Sequence, residues 1–175
     1  MAEKFASMLV VGGKSNSLGR TDEVIEAVLN DKRRLEELYE CTFDEDAWVR
    51  MRAIDAIEKI GREKQDWLIP YIDKFQSELA PSDQPSILWH LAQIYRQISL
   101  TPSQKINTIR WLKKVLSTPE IDWIVAANCM KTLVQFTNEG SIAINEAMSL
   151  IKVQQGHKSK TVVRTADKLL AELTV

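Results

Sequence analysis

Few residues in this chain of 175 stand where side-chain chemistry could begin. The run Val10-Val11-Gly12-Gly13-Lys14-Ser15 has the ending of a phosphate-binding loop. That motif also needs a glycine five positions before Gly13, and Met8 stands there, so a flexible turn is expected instead. His90 and His157 have no second histidine or cysteine at metal-ligand spacing. Cys41 and Cys129 are far apart, with no Cys-x-x-Cys pair, and read as buried free thiols of a reducing compartment. No nucleophile elbow is present, and the sequence implies no catalytic residue, cofactor or metal.

Recognition chemistry is better represented. Three sets of residues recur at one spacing: Arg52, His90, Asn128 and Thr165; Asp55, Gln93, Lys131 and Lys168; Met51, Trp89, Ala127 and Arg164. Guanidinium forks, amide edges and an indole face suit binding. The expected binding groove therefore comprises Arg52, Asp55, Trp89, His90, Gln93, Asn128, Lys131 and Lys168. A reading without function pairs Arg52 with Asp55 and packs Trp89 between repeats. Of the five tryptophans, Trp67 and Trp111 fall amid core residues, Trp48 and Trp123 near helix starts, and Trp89 is expected to be the most accessible.

The elements that must hold these residues follow from an apolar repeat. Val49, Ala53, Ile57 and Ile60 mark one helix face. The same slots hold Ile87, Leu91, Tyr95 and Ile98, then Val125, Cys129, Leu133 and Phe136, then Val162, Ala166, Leu170 and Leu173. An apolar helix precedes each, marked by Leu35, Leu38 and Tyr39; Leu68, Ile69, Ile72 and Phe75; Ile109, Leu112, Val115 and Leu116; Ala147, Met148, Leu150 and Ile151. Thr101-Pro102-Ser103-Gln104 reads as a capping box with Pro at the first helical position. Gly61 is expected to end a helix after Ile60, and Gly140 to separate the third pair from the fourth. The expectation is an all-α, short right-handed α-solenoid of about four helix pairs. Repeats span about 33–62, 66–99, 101–137 and 141–175, in one domain over 21–175. An N-terminal capping helix covers 21–31, and residues 1–20 form a partly flexible tail.

The segment Asp44-Glu45-Asp46-Ala47-Trp48-Val49-Arg50-Met51-Arg52-Ala53, continued by Ala56 and Gly61, resembles the signature of the HEAT-repeat family. Leu68-Ile69-Pro70 is similar to the proline-bearing first helix of such a unit, and Val163-Arg164 echoes the Val-Arg of repeat one. The resemblance covers roughly residues 33–175. It implies that second helices line a concave binding surface and implies no chemistry of its own. A non-enzymatic scaffold for a protein or peptide partner is the expected function. HEAT-like DNA alkylation repair glycosylases suggest an alternative in which Asp55 is the carboxylate, Trp89 the aromatic, and Lys131 and Lys168 phosphate contacts.

Charge bears on that alternative. The net charge of −1 gives no overall attraction to nucleic acid. Residues 1–100 carry 13 Lys/Arg against 18 Asp/Glu, whereas residues 101–175 carry 10 against 6. Nucleic-acid binding without catalysis would therefore use Lys113, Lys114, Lys131, Lys152, Lys158, Lys160, Arg164 and Lys168, and would weaken steeply with salt. No apolar run approaches the ~18 residues of a membrane span, and no signal peptide is recognisable. Cytoplasm is the default location. Repeat four shows no polar capping helix, so its outer apolar face admits a homodimer.

Overall fold

The computed structural model describes residues 3–12 and 17–174. Gly13, Lys14 and Ser15 of the glycine-containing run lie outside the described residues. Every regular element among the described residues is helical, and the chain divides into two compact units, residues 1–70 and 71–175.

The first unit is organised by α4 (Ala47–Glu63). Its start is set by Asp46, whose side chain accepts from the Trp48 N–H, satisfying one of the helix's unpaired amides. Val49, Ala53, Ile57 and Ile60 are all buried. Gly61 does not end the helix. It is buried inside α4, which continues to Glu63 and closes with Lys64 N–H donating to the Ile60 carbonyl. Around α4 lie α1 (Phe5–Val10), α2 (Thr21–Asn30) and α3 (Leu35–Glu40). The unit ends with α5 (Gln65–Leu68); beyond it a 3-10 turn, Ile69–Tyr71, takes in Pro70, which cannot donate to a continuous helix.

The segment expected as a tail contains α1, and its Phe5, Met8 and Leu9 are buried. Six residues are too few for an isolated helix to be stable. Opposite charges hold its two ends. Glu37 accepts from the Phe5 N–H at 2.8 Å, and Arg52 donates to the Leu9 carbonyl at 2.6 Å. That is the arrangement a helix dipole favours. Arg52 is 1% exposed, not on a groove surface. Its other donors reach the Gly12 carbonyl at 2.7 Å and the Ser17 carbonyl at 3.0 Å. Guanidinium is the one side chain with enough fixed donors for this cluster. The approach requires glycine: a Cβ on Gly12 would lie 2.7 Å from Gly19 Cα and 3.0 Å from the Arg52 guanidinium carbon.

The second unit opens with α6 (Ile72–Lys74), continued by a π turn (Phe75–Leu79), and then follows the repeat. Second helices α7 (Pro85–Gln97), α9 (Trp123–Asn138) and α11 (Lys160–Leu173) pack in series, with α8 (Pro102–Leu116) against α9 and α10 (Ile144–Val153) against α11. The predicted slots on α7 and α9 are buried throughout. On α11 Val162 and Ala166 are buried, while Leu170 and Leu173 are half-buried.

Caps fix where these helices begin and end. Thr101 and Gln104 form the predicted box reciprocally, at 3.1 and 3.3 Å. Asp122 accepts from the N–H groups of Ile124 and Val125. After α9, Gly140 takes φ +75°. Its N–H meets the Thr137 carbonyl and the Ser141 N–H meets the Phe136 carbonyl, completing a Schellman motif.

Side chains also bond neighbouring backbone about one repeat away. Thr132 donates to the Ala92 carbonyl at 2.7 Å, Gln135 to the Arg96 carbonyl at 3.1 Å, and Gln154 to the carbonyls of Leu116 and Thr118. His157 Nδ1 accepts from the Ser159 N–H, so Nε2 carries the proton and donates to the Ile121 carbonyl at 2.8 Å.

Leu133→Ala should cost about 2–5 kcal/mol and Asp122→Ala about 1 kcal/mol, read from urea unfolding. Equal, small effects would mean the buried register is wrong. Arg52→Lys should lower stability by about 2 kcal/mol or more through lost charge-assisted bonds and should speed amide exchange across Met8–Val10. Unchanged exchange there would show that α1 does not depend on Arg52.

Candidate functional site

In the second unit, the outer faces of α7 and α9 form a largely polar ridge, on which Trp89 also packs against the core. On α7 it consists of Trp89, Gln93 and Arg96, all half-buried; on α9 it consists of half-buried Asn128, exposed Lys131 and half-buried Gln135. The spacing of three and four residues puts each set on one helix face. Neighbouring groups fix the orientation of several. His90 is buried, its Nδ1 is 2.6 Å from the Ser86 carbonyl, and the Trp89 indole stacks on its ring at 3.4 Å between centroids. Gln93 donates to Asn128 Oδ1 at 3.2 Å, while Asn128 donates to the Ile124 carbonyl at 2.9 Å.

One recurrent slot shows the physical logic. His90, Asn128 and Thr165 each contact the carbonyl four residues earlier in their own helix. Arg52 in that slot reaches across to another segment instead. Of the eight residues expected to line a groove, Gln93 and Asn128 meet directly, and Trp89 and His90 stack. Lys131 stands exposed beside Asn128 on α9, and Lys168 is an exposed residue of α11 3.9 Å from Glu172. Arg52 and Asp55 lie in the first unit, where Asp55 pairs with Lys59 at 2.9 Å.

Two tryptophans differ from expectation. Trp48 and Trp123 are 43% and 49% exposed, more so than half-buried Trp89, because the first turn of a helix has no preceding turn to cover it. Trp111, expected amid core residues, packs against the core of the second unit while one part of it stays open beside Arg110 and Lys114.

The basic residues of the C-terminal repeats are not uniformly available. Lys113 pairs with Glu146 at 2.6 Å, and nearby Lys105 pairs with Glu139 at 2.6 Å. Lys105 and Gln135 together hold the Glu139 carboxyl below its ordinary range. The two thiols are the only strong latent nucleophiles by type. Burial pushes Cys41 up to about 11, reinforced by Glu37, Asp44 and Glu40, and burial alone pushes Cys129 higher still. At neutral pH both are held as thiols rather than reactive thiolates. Among the described residues no group of three His, Cys, Asp or Glu is placed to hold a metal ion, and no helix is long and apolar enough to cross a membrane.

Comparison with known proteins agrees with this architecture. No curated protein and no solved structure matches the chain. The model of the HEAT repeat domain matches residues 14–172, which takes in α2 through nearly all of α11. Repeats of this kind commonly mediate protein–protein interaction and are typically scaffolds rather than enzymes. Paired helices in register, the Val49-Arg50 signature at the head of α4, and a match over most of its length place this chain in the HEAT repeat domain family.

Proposed function

We propose that the chain is a binding scaffold that presents the ridge of α7 and α9 to a protein or peptide partner. The observation that carries this reading is the held line Trp89, Gln93 and Asn128, with exposed Lys131 beside it. An indole held on a buried imidazole lies beside amides already locked by hydrogen bonds, next to an exposed ammonium. The held indole and amides lose little conformational entropy on binding. An indole flanked by polar groups is also the usual composition of an energetic hot spot. Lys168, at the corresponding register position of α11, is exposed as well.

Arg52 is not part of this surface, because its guanidinium holds the N-terminal segment. Charge reversal there would test folding, not binding. The informative variant is Trp89→Ala/Lys131→Glu. Immobilised wild type should retain from native lysate a protein that nuclease treatment does not remove. The variant should retain at least about 30-fold less, the equivalent of losing one hot spot of 2 kcal/mol. Equal retention by both would exclude the ridge. Retention that nuclease abolishes would replace the protein partner with nucleic acid.

A further inference from the structure

Away from the ridge, on the side of the first helices, the second unit contains a trough along α8. Two adjoining hollows of about 480 and 410 Å³ share Ala80, Pro81, Trp111 and Lys114. The Trp111 indole lies on their common boundary. Its Nε1–H donates to the Ala80 carbonyl at 3.3 Å, and its ring meets the Tyr95 ring edge-on at 5.7 Å between centroids. The indole is thus held in place before anything binds, as part of the wall of both hollows.

The two hollows differ in charge. Exposed Arg110 lines only the larger one, whereas exposed Lys114, one turn on along α8, lines both. Arg110 is steadied by Asn107 at 2.9 Å, and Asn107 reaches Gln76 at 3.5 Å. The acid of this hollow, Asp73, accepts from Gln104 at 3.1 Å. The smaller hollow is floored by Leu88, Val125 and Ile121 and rimmed by Asp83 and Glu120. Asp122 also belongs to it, but its carboxylate caps α9. The Arg110 end is therefore cationic and the Asp83 and Glu120 end acidic, with Ala80, Pro81, Trp111 and the stem of Lys114 between them.

From this geometry we infer a second interaction site: the trough takes an extended segment of a partner protein. An apolar side chain lies against Trp111, an acidic residue faces Arg110 and Lys114, and a basic residue faces Asp83 and Glu120. Opposed charges at the two ends select both composition and direction of the segment. Hollows of this size each accept one or two side chains, and three extended residues span about 10 Å. The site is separate from the α7–α9 ridge and does not depend on that assignment.

The test is a selection of random octapeptides displayed on phage against the whole chain. Enriched sequences are then synthesised and their affinity measured by fluorescence anisotropy. Peptides with an apolar residue between an acid and a base should dominate. Trp111→Phe should weaken them, and Lys114→Glu should weaken them by about tenfold. Exchanging the peptide's acidic residue for lysine should then restore binding to the Lys114→Glu protein. Lys114 is exposed, so this charge swap reads recognition and not folding. Three outcomes overturn the proposal. They are a selection without that pattern, selected peptides whose affinity neither substitution changes, and uniformly acidic peptides indifferent to Trp111→Phe. The last would assign the trough to a simple anion.

Discussion

A second helix with apolar residues at four successive positions of one face cannot bury them by itself, and its own first helix covers only part of that surface. The remainder must be closed by a neighbour. This requirement sets the spacing of Val49, Ile87, Val125 and Val162 in the sequence. It also explains why α7, α9 and α11 pack in series, with α9 contacting both of the others. Where α9 has neighbours on both sides, Val125, Cys129, Leu133 and Phe136 are all buried. On α11 the far half of the face, Leu170 and Leu173, remains half-exposed.

In the first unit α4 meets the same requirement by another route. Its cover comes from α1 and α2, and α1 is too short to persist alone. Glu37 and Arg52 supply charge of the right sign at each of its ends. The arginine thereby gives up the surface role that residue type and repeat position suggest. His90, Asn128 and Thr165 occupy the corresponding position on later helices and answer the local need differently, each by contacting its own helix backbone. One slot of a repeat can thus anchor a foreign segment in one copy and orient a surface residue in another.

What was legible in the sequence is what depends on period and on local backbone geometry. The buried slots, the Thr101–Gln104 box and the turn at Gly140 are of this kind, since each is specified by residues a few positions apart. Helix α1 was not legible, because its stability rests on the carboxylate of Glu37 and the guanidinium of Arg52, remote in sequence and aimed at backbone groups that every residue possesses. Gly61 misled for another reason: glycine is favoured at helix ends, yet a helix held by packing tolerates it inside, and here it is buried within α4. The ridge was partly legible. Residue types named Trp89, Gln93, Asn128 and Lys131, but the contact of Gln93 with Asn128 and the stacking of His90 on the indole arise only in the folded chain.

The burial of both native cysteines has a practical corollary. Cys41 and Cys129 are buried inside the two units, and burial holds both as thiols, so each should react with a maleimide at neutral pH far more slowly than an exposed cysteine. Cysteines introduced at exposed positions such as Asp22 and Asn138 can therefore carry paired spin labels or fluorophores in the otherwise unaltered sequence. The protein comes ready for distance spectroscopy between its own repeats.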